Sequence, residues 1–136
     1  MTKPIRVLIA DDNARSRNGL RALLGTVRLN PSVALGRGGH DETWPEVEVV
    51  GEAANGREAM RQVVTCRPDV VLMDARMPEM DGLEATWLIK NRWPGVKVVV
   101  LTLYATYRAE ALAAGADVFL VKGCPNEELL AAILRN

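Results

Sequence analysis

The sequence has no excess of charge of either sign: 17 Lys and Arg stand against 17 Asp and Glu in 136 residues. A domain that bound nucleic acid by itself would need a basic surplus to neutralise phosphates, so direct nucleic-acid binding is not expected. Cysteine is scarce too. Cys66 and Cys124 form no C-x-x-C pair and have no histidine beside them, which argues against a thiolate metal site and for free thiols in the cytoplasm. No apolar run reaches the roughly 18 residues that a membrane span requires. The opening MTKPIRVLIADD meets acids too early to be a secretory signal. The chain is therefore expected in the cytoplasm, with no membrane contact.

What is present is a globular composition, 49% hydrophobic, of a length that suits a single domain over residues 1–136. Strand-like and helix-like segments alternate strictly. IRVLIA, Ile5 to Ala10, is short and nearly all apolar, the mark of a strand buried on both faces. Asn13 then offers an N-cap, and Leu20, Leu23, Leu24 and Val27 recur at helical spacing. A second strand begins at Val47, followed by a helix with Ala59, Met60, Val63 and Val64 on one face. DVVLMD supplies the third strand and GLEATWLIKN the third helix, stopped by Pro94 and Gly95. Val96 to Thr102 is the fourth strand. A short helix, YRAEALAAG, ends at Gly115, and Val118 to Lys122 is the fifth strand. The last helix runs from Pro125 to Leu134, with Cys124 at its expected N-cap, where a thiol pKa is lowered.

Five such units predict an α/β fold: a (βα)5 doubly wound, five-stranded parallel sheet with helices on both faces. Ligands in such sheets sit at the carboxyl ends of the strands, beside the topological switch point. That edge is chemically loaded. Strand one ends in Asp11 and Asp12, strand three in Asp74, strand four in Thr102 and strand five in Lys122. One strand-end acid is commonplace; three acids, a hydroxyl and a lysine converging on one rim is not. Packed carboxylates repel unless a cation joins them, and an oxygen-only set favours Mg²⁺. A lysine ammonium suits a phosphoryl oxygen, and a carboxylate beside it can attack a phosphoryl group to form an acyl phosphate.

As a set, ADDN at Asp11 and Asp12, LMDARMPEMDG around Asp74, LTLY at Thr102 and GADVFLVK ending in Lys122 resemble the receiver domains of two-component response regulators. The resemblance covers the chain apart from an insertion at about 28–46. It implies the flavodoxin-like (CheY-like) form of the fold and phosphorylation of Asp74 by a sensor histidine kinase. It further implies Mg²⁺ held by Asp12, Asp74 and the backbone carbonyl of Arg76, with Asp11 reaching it through water. Thr102 and Lys122 would contact the phosphoryl oxygens, and Phe119 would be the aromatic that reorients on activation. The residues two after the acceptor and two after the threonine, Arg76 and Tyr104, would govern access of water to the phosphorus. Both are large and neither is a base at neutral pH, so slow self-dephosphorylation is expected. A homodimer on phosphorylation is the family's usual response.

Two departures matter. Gly123 follows Lys122 where the family often has proline, so no cis peptide is expected there. KGCPNEELLAAI and LTLY look instead like regulators with a LuxR-type helix-turn-helix output, which points to transcription. The segment after Thr102 is shorter than in those relatives, trimming the start of the fourth helix. The sequence stops at Asn136, leaving a stand-alone receiver and one parted from an output domain as the two expectations. A haloacid-dehalogenase-like phosphatase would want a second Asp where Arg76 stands, and a nucleotide-binding domain would want a glycine-rich loop where ADDNARSR stands. A receiver that works without phosphorylation would lack the acids or the lysine. The insertion, with Leu35, His40 and Trp44, joins helix one to strand two and so belongs on the edge opposite the acids.

Overall fold

The computed structural model describes residues 3–29 and 46–135. Five strands form one parallel sheet: β1 (Ile5–Ala10), β2 (Val47–Ala53), β3 (Val70–Met73), β4 (Lys97–Thr102) and β5 (Val118–Val121). The helices are α1 (Ala14–Leu29), α2 (Gly56–Cys66), α3 (Gly82–Arg92), α4 (Arg108–Ala113) and α5 (Asn126–Leu134). A 3-10 turn, Ala105–Tyr107, leads into α4. The strand order is β2-β1-β3-β4-β5, so the chain reverses direction across the sheet between β1 and β3.

The period of two along each strand divides the core. Val7 and Ile9 of β1, Val70 and Leu72 of β3, and Val99 and Leu101 of β4 face Leu24 of α1 and Leu129, Leu130 and Ile133 of α5. Leu8, Val71, Met73, Val98 and Val100 face Ala59 and Val63 of α2, Ala85 and Ile89 of α3, and Ala111 of α4. Strands covered on both sides have no polar face, which is why they read as continuous apolar runs.

Local signals set most helix ends. The Asn13 side chain accepts from the Ser16 N–H at 3.0 Å, Asn55 caps α2 and Asp81 caps α3. Gly115, at φ +103, turns the chain out of α4. Three expectations need correction. Val64 does not share the buried face of α2 with Ala59 and Val63; it is 58% exposed, on an open groove with Arg67, Pro68, Trp93 and Val96. Pro125, not Cys124, is the N-cap of α5, and it makes no side-chain cap bond. α1 continues to Leu29, beyond the expected start of the insertion; Leu35, His40 and Trp44 lie outside the described residues. No peptide bond among the described residues is cis, as Gly123 led us to expect.

Gly82 fixes the start of α3 against the end of β3. A Cβ there would lie 1.7 Å from the Asp74 carbonyl oxygen, while the Gly82 N–H donates to Ala75 at 3.0 Å. Gly82→Ala should therefore destabilise the protein by about 1–3 kcal/mol in urea unfolding, because backbone must move. Gly95→Ala, with nothing within 4 Å of the added Cβ, should be neutral or slightly stabilising. Equal effects at the two positions would contradict this packing.

Candidate functional site: an acidic cluster bridged by a lysine

Asp11 follows β1 directly and Asp74 follows β3, on adjacent strands flanking the reversal of the sheet. The ladder carries them together: the Asp74 N–H donates to Ala10 and the Asp11 N–H to Ala53, both at 2.9 Å. Asp11 is 2% exposed and Asp74 9%, whereas Asp12 faces solvent. One carboxylate oxygen each from Asp11, Asp12 and Asp74 lies within 4.8 Å of the other two.

Lys122, one residue past β5, reaches into this cluster. Its Nζ donates to Asp11 Oδ2 at 2.7 Å, to Asp74 Oδ2 at 2.9 Å and to Ser16 Oγ at 3.4 Å. The second oxygen of Asp11 and of Asp74 meets backbone. Asp11 Oδ1 accepts from the Asn13 N–H at 2.8 Å and Asp74 Oδ1 from the Arg76 N–H at 3.2 Å. Arg17 steadies the loop from α1, donating to the Asp11 carbonyl at 2.6 Å while pairing with Glu52, which Arg21 also holds. Three carboxylates against one ammonium leave a local excess of negative charge that a divalent cation would balance. The donors are all oxygens and one acid is open to water, which fits Mg²⁺, an ion that keeps several of its waters.

Thr102 ends β4 fully buried, its hydroxyl accepting from the Tyr104 N–H at 3.5 Å. Its carbonyl receives the Lys122 N–H at 2.7 Å, so the two residues are joined through the backbone. Phe119 does not meet the acids. It is buried in the cluster under α2, α3 and α4, with the Arg108 guanidinium 5.9 Å above its ring. Arg76 and Tyr104 are exposed and both turn toward Tyr107, a residue the sequence reading passed over. Ser16 and Arg17 were passed over as well. Their only signal was their place in the first turns of the helix after Asp11 and Asp12. The Cys124 thiol is pushed up by burial and by Glu128, the reverse of an activated thiol.

A family profile described as "Response regulator receiver domain" matches residues 42–134. The chain belongs to this family. The profile match begins after β1, and the parallel pairing of β1 with β3 places Asp11 and Asp12 in the same sheet. The receiver is 37% identical to the uncharacterized transcriptional regulatory protein YhcZ of Bacillus subtilis, over 93% of this chain and 52% of that protein. It is 34% identical to the response regulator protein VraR of Staphylococcus saprophyticus, over 96% and 55%. The chain thus spans about half the length of the curated relatives it matches. Among solved structures it is similar to a LuxR-family two-component response regulator from an Aurantimonas species (28% identity, TM-score 0.76, covering 96% of this chain and 83% of that one). It is also similar to the receiver domain of AraT, a response regulator from Geobacillus stearothermophilus (30%, 0.72, covering 94% and 88%).

Charge links this receiver's stability to pH. Burial works against the Lys122 ammonium, yet its bonds to Asp11 and Asp74 raise it above the ordinary lysine value of 10.5. A raised folded-state value contributes stability that is complete below the ordinary value and is lost as pH rises through the raised one. Lys122→Met should cost about 3 kcal/mol at neutral pH by stranding buried carboxylates. Chemical unfolding across pH should show the gap between wild type and variant narrowing above 10.5. A gap that stays constant there would show that the ammonium contributes nothing.

Proposed function

We propose that this receiver accepts a phosphoryl group on Asp74 from a sensor histidine kinase, in a Mg²⁺-dependent reaction in the cytoplasm, and thereby controls transcription. The observation that carries the reading is the single bridge of Lys122 between Asp11 and Asp74 at the switch point of the sheet. In the transfer, an Asp74 carboxylate oxygen forms a bond to phosphorus while the bond from phosphorus to the kinase imidazole breaks. The imidazole leaves with the electron pair and takes up a proton. Lys122 and Thr102 meet the phosphoryl oxygens, the first as a point charge and the second as a hydroxyl donor. Asp12, Asp74 and the Arg76 carbonyl would hold Mg²⁺, with Asp11 reaching it through water; when bound, the ion supplies positive charge for the phosphoryl oxygens.

Phe119 is the aromatic whose reorientation reports the change, and phosphorylation promotes a homodimer. Arg76 and Tyr104 restrict the water that would attack in line, giving slow self-dephosphorylation. A tenfold change in lifetime is only about 1.4 kcal/mol of barrier, so modest shielding suffices.

Incubation with Mg²⁺ and acetyl phosphate should add one phosphoryl group by intact mass, and Asp74→Asn should abolish it. Undiminished labelling of that variant would place the acceptor elsewhere. After donor removal, an Arg76→Asn, Tyr104→Ala double variant should lose its label faster than wild type. Equal decay would show that these side chains do not restrict water.

A further inference from the structure

Arg76 makes two contacts of different kinds. Its backbone N–H donates to Asp74 Oδ1 at 3.2 Å, whereas its guanidinium Nη1 donates to the Tyr107 hydroxyl at 2.7 Å. Among the described residues that guanidinium has no ion pair with a carboxylate. The Tyr107 ring lies 6.0 Å from the guanidinium carbon and meets Tyr104 edge to face, with centroids 6.1 Å apart. Tyr107 is half-buried against the core cluster that contains Phe119, and the next residue, Arg108, covers the Phe119 ring. One short turn therefore touches the acceptor loop through Tyr107 and the buried aromatic through Arg108.

The bond that holds Arg76 is a weak one to leave. A neutral phenol offers a guanidinium a single acceptor, while a phosphoryl group offers two negative charges and oxygens spaced for both arms of the fork. Arg76 stands two residues from Asp74 in the same loop, so rotation of its side chain could redirect the guanidinium while the backbone stays in place.

We propose that Arg76 exchanges partners on phosphorylation, leaving the Tyr107 hydroxyl for the phosphoryl oxygens on Asp74, so that Tyr107 sets the acyl-phosphate lifetime by competing for that guanidinium. The inference rests on the reading of Asp74 as the acceptor. Tyr107 is on this account a positioning residue, acting only through Arg76.

The test is the decay of the label after acetyl phosphate removal in wild type, Tyr107→Phe, Arg76→Met and the double variant. Tyr107→Phe keeps the ring and removes only the competing hydroxyl, so the lifetime should lengthen about threefold or more. Arg76→Met should shorten it, and in that background Tyr107→Phe should have no further effect, since the coupling needs both partners. A Tyr107→Phe effect of equal size with and without Arg76 would assign Tyr107 a structural role and overturn the exchange. So would an unchanged lifetime in Tyr107→Phe. Label that persists in Asp74→Asn, or is absent from wild type, removes the acceptor reading and the exchange with it. Label confined to Asp74 with a flat cycle removes the exchange alone.

Discussion

The Lys122 ammonium between Asp11 and Asp74 is the contact on which the carboxyl edge of this receiver depends. Both acids are nearly sealed from water, and an unpaired buried charge is among the costliest features a fold can carry. The bridge joins residues 111 and 48 positions apart in sequence, so it exists only when β1, β3 and β5 are all in register. β5 is one of the two outer strands of the sheet, and Lys122 must cross the end of β4 to reach the acids. Its four-carbon stem makes that crossing possible. The hydrogen bond from its N–H to the Thr102 carbonyl fixes where the stem begins.

Around that contact the site is built with an imbalance. One lysine answers three carboxylates, and Arg17 is committed to the Asp11 carbonyl and to Glu52. Asp12 remains on the solvent side of the cluster. Such a site is stable enough to fold yet gains from added positive charge. The same surroundings suit Asp74 to a phosphoryl group, whose oxygens need cations close by. Gly82 keeps α3 tight against the loop that follows β3, so the geometry around Asp74 is set by backbone packing.

Much of this was legible in the sequence because strand-end residues announce themselves. An apolar run broken by Asp11, Asp74 or Thr102 marks both a strand and its polar end, and parallel strands put those ends on one edge. Asn13 was legible as a cap from its place after the two acids, and Asn55 and Asp81 cap α2 and α3 in the same way. Where the reading failed, the deciding fact was three-dimensional. Val64 fits a helical stripe by spacing, but it borders an open groove shared with Arg67, Pro68, Trp93 and Val96 and stays exposed. Cys124 sits one residue outside the cap it was expected to occupy, and burial raises its thiol. Tyr107 had no motif to mark it; its bond to Arg76 joins residues 31 apart on two different loops.

A site of three acids and Lys122 that is short of positive charge should be completed by Mg²⁺. The most direct measurement is thermal unfolding of wild type and Asp12→Asn in Mg²⁺, each against NaCl of equal ionic strength. Without Mg²⁺, Asp12→Asn should be at least as stable as wild type, because one repelling charge is gone. With Mg²⁺ at 100 times its dissociation constant, wild type should gain about 2.7 kcal/mol and the variant much less. Equal stabilisation of both proteins by Mg²⁺, or none of wild type beyond that given by NaCl, would contradict it.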